Sequence, residues 1–136
     1  MSSAQDIAVL LGSETDWILG IDMFVAREPV RPPSTLTIFD VPGLGPVLEY
    51  TRSAERYTYS SFSIRIRHAE YDTAMFQAGE LIGLLHNRGN EIINGVHYTL
   101  IESLDDPALL DFDSNNLARV VANFSAQKII KDVLTT

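Results

Sequence analysis

The period of the hydrophobic positions changes along the chain, and each change predicts an element. In "SSAQDIAVLL" (residues 2–11), Ile7, Leu10 and Leu11 recur at helical spacing, which predicts a short helix. Ser2 with Gln5, or Ser3 with Asp6, has the spacing of a capping box, and Gly12 is a natural stop. In "WILGIDMFVA" (17–26), Trp17, Leu19, Ile21, Met23 and Val25 fall on alternate positions and predict a strand with an apolar face. "REPVRPPST" (27–35) carries three prolines, which suit an extended connector and no central strand. "LTIFD" (36–40) reads as a short strand.

Residues 41–56, "VPGLGPVLEYTRSAER", lose any clear period and read as a long loop. Loops of this length are uncommon in compact domains and are usually functional or disordered. Leu44, Val47, Leu48 and Tyr50 make it too apolar for a plain linker. "YTYSSFSIRIRH" (57–68) alternates as a strand, with Phe62, Ile64 and Ile66 on one side and Ser63, Arg65 and Arg67 on the other. Tyr57 and Tyr59 share the parity of Arg65, so a bulge near Ser60–Ser61 would gather the apolar residues on one face.

The best helix is 70–87, where Tyr71, Ala74, Met75, Ala78, Ile82 and Leu85 follow the i, i+3, i+4, i+7 rule. Its small residues Ala74, Ala78, Gly79 and Gly83 suit close packing on a sheet. Asn94-Gly95 within 92–103 predicts a type I′ hairpin turn. "LDDPALLDFDSNN" (104–116) reads as a polar connector with a short apolar plug. In "LARVVANFSAQ" (117–127), Ala118, Val120, Ala122 and Phe124 form one strand face, and Arg119, Asn123 and Ser125 the other. These elements predict an α+β fold: a single mixed, mainly antiparallel sheet with one long and one short helix packed on one face. Residues 1–127 are expected to form the single domain, and 128–136 a tail ordered only on assembly.

Composition narrows the function. A chain of 136 residues suits one domain and buries about 65–70% of its unfolded surface. With no cysteine there is no disulfide scaffold, thiolate metal site or cysteine nucleophile. The net charge of −8 is opposite to that of a free-standing nucleic-acid binder. The N-terminal stretch has no basic segment of a secretory signal, and no apolar run approaches the ~18–20 residues of a membrane span.

Candidate chemistry is sparse. Asp111, Asp113 and Asn115 begin like a calcium loop, but Asn116 stands where glycine is needed and Ala122 where a bidentate Glu is needed. An acidic turn is the plainer reading. His68, His86 and His97 show no metal-ligand spacing. "VPGLGP" lacks the Gly-Lys-Ser/Thr of a phosphate cradle and reads as a turn, and no Gly-x-Ser-x-Gly elbow occurs. A small acidic metal-dependent hydrolase built on Asp111, Asp113 and a histidine is the reading from a different class. Arg52, Arg56, Arg65 and Arg67 place four of ten basic residues within sixteen positions. Arginine pairs bidentately with carboxylates, so an arginine face against the acidic face of another copy would make a head-to-tail contact. A solvated strand face explains the same residues, and the residues alone leave both open.

Several stretches together resemble the tail terminator proteins of long-tailed bacteriophages, also called minor capsid or tail completion proteins. They are "TIFDVPG", "FSIRIRHAEYDTA" running into the long helix, "INGVHYTLIES", and "DPALLDFDSNNLARVVANF". The likeness spans residues 1–126 and leaves out the C-terminal tail. It implies a structural virion protein with no catalytic residue, cofactor or metal. A hexameric ring would cap the tail tube, stop its polymerisation and dock the head-completion or connector protein, with DNA passing through unbound. The implied partners are further copies of the chain, the tail tube protein and the connector, with no membrane. The implied place is the head-proximal end of the phage tail, after synthesis in the host bacterial cytoplasm. Another head–tail connector or the tail tube subunit is the near alternative. Candidate contact residues are Arg52, Arg56, Arg65, Arg67, Leu44, Val47, Leu48, Tyr50, Asp111 and Asp113. Replacing Arg65 and Arg67 together by Glu is expected to block the ring without unfolding the monomer.

Overall fold

The computed structural model describes residues 2–46 and 55–131. Helix α1 (Ser3–Glu14) leads to β1 (Met23–Val25), β2 (Thr35–Pro46) and β3 (Glu55–His68). Helix α2 (Tyr71–Leu85) follows, then β4 (Arg88–Ile93), β5 (Val96–Ser103), β6 (Ala108–Phe112) and β7 (Ala118–Lys131). The strands form one sheet in the order β1-β2-β3-β7-β5-β4, and β6 pairs with the part of β7 that β5 leaves open. Only β1 and β2 run parallel. The architecture is therefore the predicted α+β one, with a mixed, mainly antiparallel sheet.

Alternation decides what each strand buries. In β2, β3 and β7 the even positions Leu36, Ile38, Phe62, Ile64, Ile66, Val120, Ala122, Phe124 and Ala126 turn to the helices and are buried. They meet Ala4, Ile7, Ala8 and Leu11 of α1 and Ala74, Ala78, Leu81 and Leu85 of α2 in one core. Phe62 and Phe124, opposed across β3 and β7, stack with ring centroids 5.1 Å apart. The capping box at Ser2 and Gln5 is formed, and the Asp40 carboxylate accepts from the Ala4 amide. Two of the amides that a helix N-terminus leaves unpaired are thus satisfied.

Several expectations need correction. The strand of 17–26 shrinks to Met23–Val25, because Gly20 at φ +88° turns the chain and the Asp22 carboxylate accepts from the Ile18 amide. Ile18, Leu19 and Ile21 are left exposed by that turn. Of the loop expected at 41–56, residues 41–46 and 55–56 belong to strands, and 47–54 lie outside the described residues. β2 runs on to Pro46 and pairs Gly45 with Tyr59 and Pro46 with Thr58, after a register shift between Val41 and Gly45. "VPGLGP" thus lies in a strand, not a turn. The irregularity expected at Ser60–Ser61 sits on β2 instead, and β3 pairs with β7 without interruption from Glu55 to His68. Helix α1 runs through Gly12 to Glu14, since Thr15 caps it. Gly79 and Gly83 are exposed, so only Ala74 and Ala78 of the four small residues pack on the sheet. The apolar plug of 104–116 is strand β6. Residues 128–131 continue β7. The I′ signal holds: Asn94 and Gly95 take φ +51° and +77° between β4 and β5.

Candidate functional site

The odd positions of β2, β3 and β7 form the outer face of the sheet, away from the helices. This face carries a row of charges. Arg67 of β3 stands opposite Arg119 of β7 in the strand register, and Arg65 lies two residues along the same face. Two like charges directly opposed would destabilise the ladder. The proline-rich connector supplies the remedy. Glu28 reaches over the face and accepts from Arg67 at 3.2 Å and from Arg119 at 3.3 Å. Asp111 of β6 then takes the other side of Arg119 in a fork-to-fork pair. The result is a continuous chain Arg67–Glu28–Arg119–Asp111.

The chain is partly sealed from water. Arg67 is 6% exposed, and the Glu28 side chain 12%. The Arg67 guanidinium also donates to the carbonyls of Val30, Pro32 and Pro33. It therefore pins the connector to the sheet. The Arg67 donors are thus used within the chain. The Arg119 hydrogen bonds hold the Asp111 carboxyl below its usual 3.8, and they raise the Arg119 guanidinium in turn. Asp111 keeps 43% side-chain exposure, so water screens this pair at the open end of the row.

Arg65 is different. Its guanidinium lies over the Phe39 ring at 4.5 Å, a cation–π arrangement. Its Nε is buried and finds no hydrogen-bond acceptor, and among the described residues no carboxylate lies within salt-bridge distance of it. The hydroxyls of Thr35 and Thr37 on the same face are likewise buried without a partner. Among the described residues the outer face thus has a paired half, Arg67 with Arg119, and a part at Arg65 that no carboxylate compensates.

The other predicted residues lie apart. Asp113 closes the turn before β7, where its carboxylate accepts from the amides of Asn115 and Leu117. With Asp111 held by Arg119, the two acids do separate structural work and share no site. The histidines are also local struts. His68 Nδ1 accepts from the Glu70 amide, His86 Nδ1 from the Ser103 amide, and His97 lies 3.4 Å from the Asn90 amide oxygen. Leu44 lies in β2 and Arg56 in β3, paired with Ile130. Val47, Leu48, Tyr50 and Arg52 lie outside the described residues. Glu28 and Arg119 complete the charge row without having been singled out by motif. Arg119 was marked by its parity in β7, opposite to that of Val120. Glu28 sits among prolines and gave no signal.

A second polar cluster lies inside. Asp6 of α1 is fully buried, accepts from the Tyr98 hydroxyl and from Asn94 at 3.0 Å, and so ties α1 to the β4–β5 hairpin. Burial, and then this hydrogen bond, raise the Tyr98 hydroxyl above its ordinary 10.0.

Comparison with known proteins decides the family. The model of the family described as bacteriophage tail terminator protein matches residues 10–130. The chain belongs to the bacteriophage tail terminator family. It is thus a structural component of the virion with a part in completing the tail. No curated protein matches. One solved structure, 12% identical, aligns over 91% of this terminator and 88% of its own chain with a TM-score of 0.46, too low to support an argument.

Proposed function

We propose that this terminator acts as a ring of six copies seated on the last ring of the tail tube. The ring stops tube polymerisation and offers its far side to the head-completion or connector protein, and DNA passes through its centre. The family match over 10–130 carries this reading, because it takes in the long helix and the described strands, short of the last residue of β7. Two features of the chain agree with it. The net charge of −8 repels phosphate, which suits a passage that must not hold DNA. The outer face carries an arginine without a carboxylate partner among the described residues, which suits a contact with another acidic copy. The sequence between β2 and β3 is apolar at Val47, Leu48 and Tyr50 and carries Arg52, a composition that suits a contact with a neighbour or with the tube.

Adding the purified protein to polymerising tail tube subunits tests the proposal. Tubes should stop growing and carry a cap at one end, visible in negative stain. Unlimited stacking of the protein into tubes of its own would mark it as the tube subunit. Growth unaffected by the protein would contradict a terminating role.

A further inference from the structure

The ring reading leaves open which surfaces of neighbouring copies meet. Two features on opposite faces of the sheet complement each other. On the outer face is Arg65, with its buried Nε unpaired. On the helix face, between the end of α1, the turn before β1 and the middle of α2, is a cleft of about 530 Å³. Its rim holds Glu14, Asp16, Asp22 and Glu80 around the Trp17 ring, and Gln77 lines it as well.

The four carboxylates are not equivalent. Glu14 is taken by Arg88 at 2.6 Å, and Asp22 accepts from the Ile18 amide. Asp16 and Glu80 are exposed and pair with no cation among the described residues. Gln77 lines the cleft, and its Oε1 is buried beneath the surface with no donor. A buried polar atom without a partner is costly and rare in a finished structure. The charged groups a partner can reach divide by chemistry: the half-buried Arg65 guanidinium on the outer face, and the exposed carboxylates of Asp16 and Glu80 at the cleft. Trp17 adds an aromatic surface on which a guanidinium can stack.

We infer that the cleft at Asp16, Trp17 and Glu80 of one copy receives the Arg65 face of the next. The occupant is a second copy of this chain, and the inference rests on the ring reading above. Because the two patches differ and lie on opposite faces, the contact is heterologous, the kind that builds a ring when the rotation from copy to copy closes. Charge on both patches also steers each arriving copy into register.

Paired charge reversals test it. Asp16→Lys with Glu80→Lys alters only exposed side chains, and Arg65→Glu reverses the other patch. Each variant alone should assemble at least about tenfold more weakly than the unaltered protein, the scale on which a broken interfacial charge pair acts. Mixed in equal amounts, the two variants should form rings of alternating copies, since each contact then again joins opposite charges. Native mass spectrometry resolves the alternating composition. Normal rings from the Asp16→Lys/Glu80→Lys variant alone would overturn the assignment, whatever Arg65→Glu does to folding. If that variant makes normal rings but no longer sits on tail tubes, the cleft faces the tube protein and the second copy is the wrong occupant. If the unaltered protein makes no rings, even on tubes, the ring reading itself fails. Rings from the unaltered protein and from both variants alike would reject this contact alone.

Discussion

Arg67 shows how strand alternation can give a side chain's position and leave its partners unseen. Strand alternation places it on the outer face with Arg65, and the structure has it there. Its burial comes from residues some thirty-five positions away, whose three carbonyls and one carboxylate collect around it. No periodicity announces such a contact. The expected result of Arg67→Met is therefore loss of stability by about 3 kcal/mol, because Glu28 keeps one partner but the connector loses its anchor. Chemical denaturation measures this. Arg67→Glu would place two carboxylates together and should not yield a folded monomer, contrary to the sequence expectation.

Asp111 gives a pH prediction at the same scale. Its folded value lies below the ordinary one, so its pairing with Arg119 contributes fully above the ordinary carboxylate range. The contribution fades as pH falls through the lowered value. Asp111→Asn should lower stability at neutral pH by the small amount that a half-exposed pair contributes, and flatten the acid limb of the profile by the same amount. Equal acid sensitivity in both proteins would contradict the pairing. Tyr98 gives an alkaline counterpart. Its hydroxyl should ionise later than an ordinary phenol, and Tyr98→Phe should remove that late step from the ultraviolet titration.

At the scale of elements, the central pair β3–β7 organises the sheet. Both run for 14 residues in continuous register, and their stacked Phe62 and Phe124 sit under the helices. Phe124→Ala should cost about 3–5 kcal/mol, read from the denaturation midpoint. A loss below about 1 kcal/mol would mean that the core is looser than this packing. These strands, helix α2 and the β4–β5 turn were legible in the sequence because each rests on a local signal: alternation, a 3.6 period, Asn94-Gly95. The extension of β2 and the existence of β6 were not. β2 beyond Val41 pairs through a bulge and contains two prolines and two glycines, so its partner β3, not its own composition, makes it a strand. β6 is five residues at an edge whose ladder depends on β7. The arginine row was half visible for the same reason: its strand residues carry parity, while Glu28 acts from a connector.

At the scale of the whole molecule, a mixed sheet with helices on one side has two unlike faces. One carries the helices and the acidic cleft, and the other carries the arginines. In the inferred ring these two faces meet between neighbouring copies, so all copies point the same way and the ring has two different ends, as the proposed function requires. The number of copies decides the account most directly. Native mass spectrometry of the protein at rising concentration, with negative-stain images of the same samples alone and on purified tail tubes, measures it. The account predicts discrete six-fold rings, in solution or seated at one end of each tube. A protein that stays a single 15.1 kDa chain at every concentration and leaves tube ends bare would contradict it.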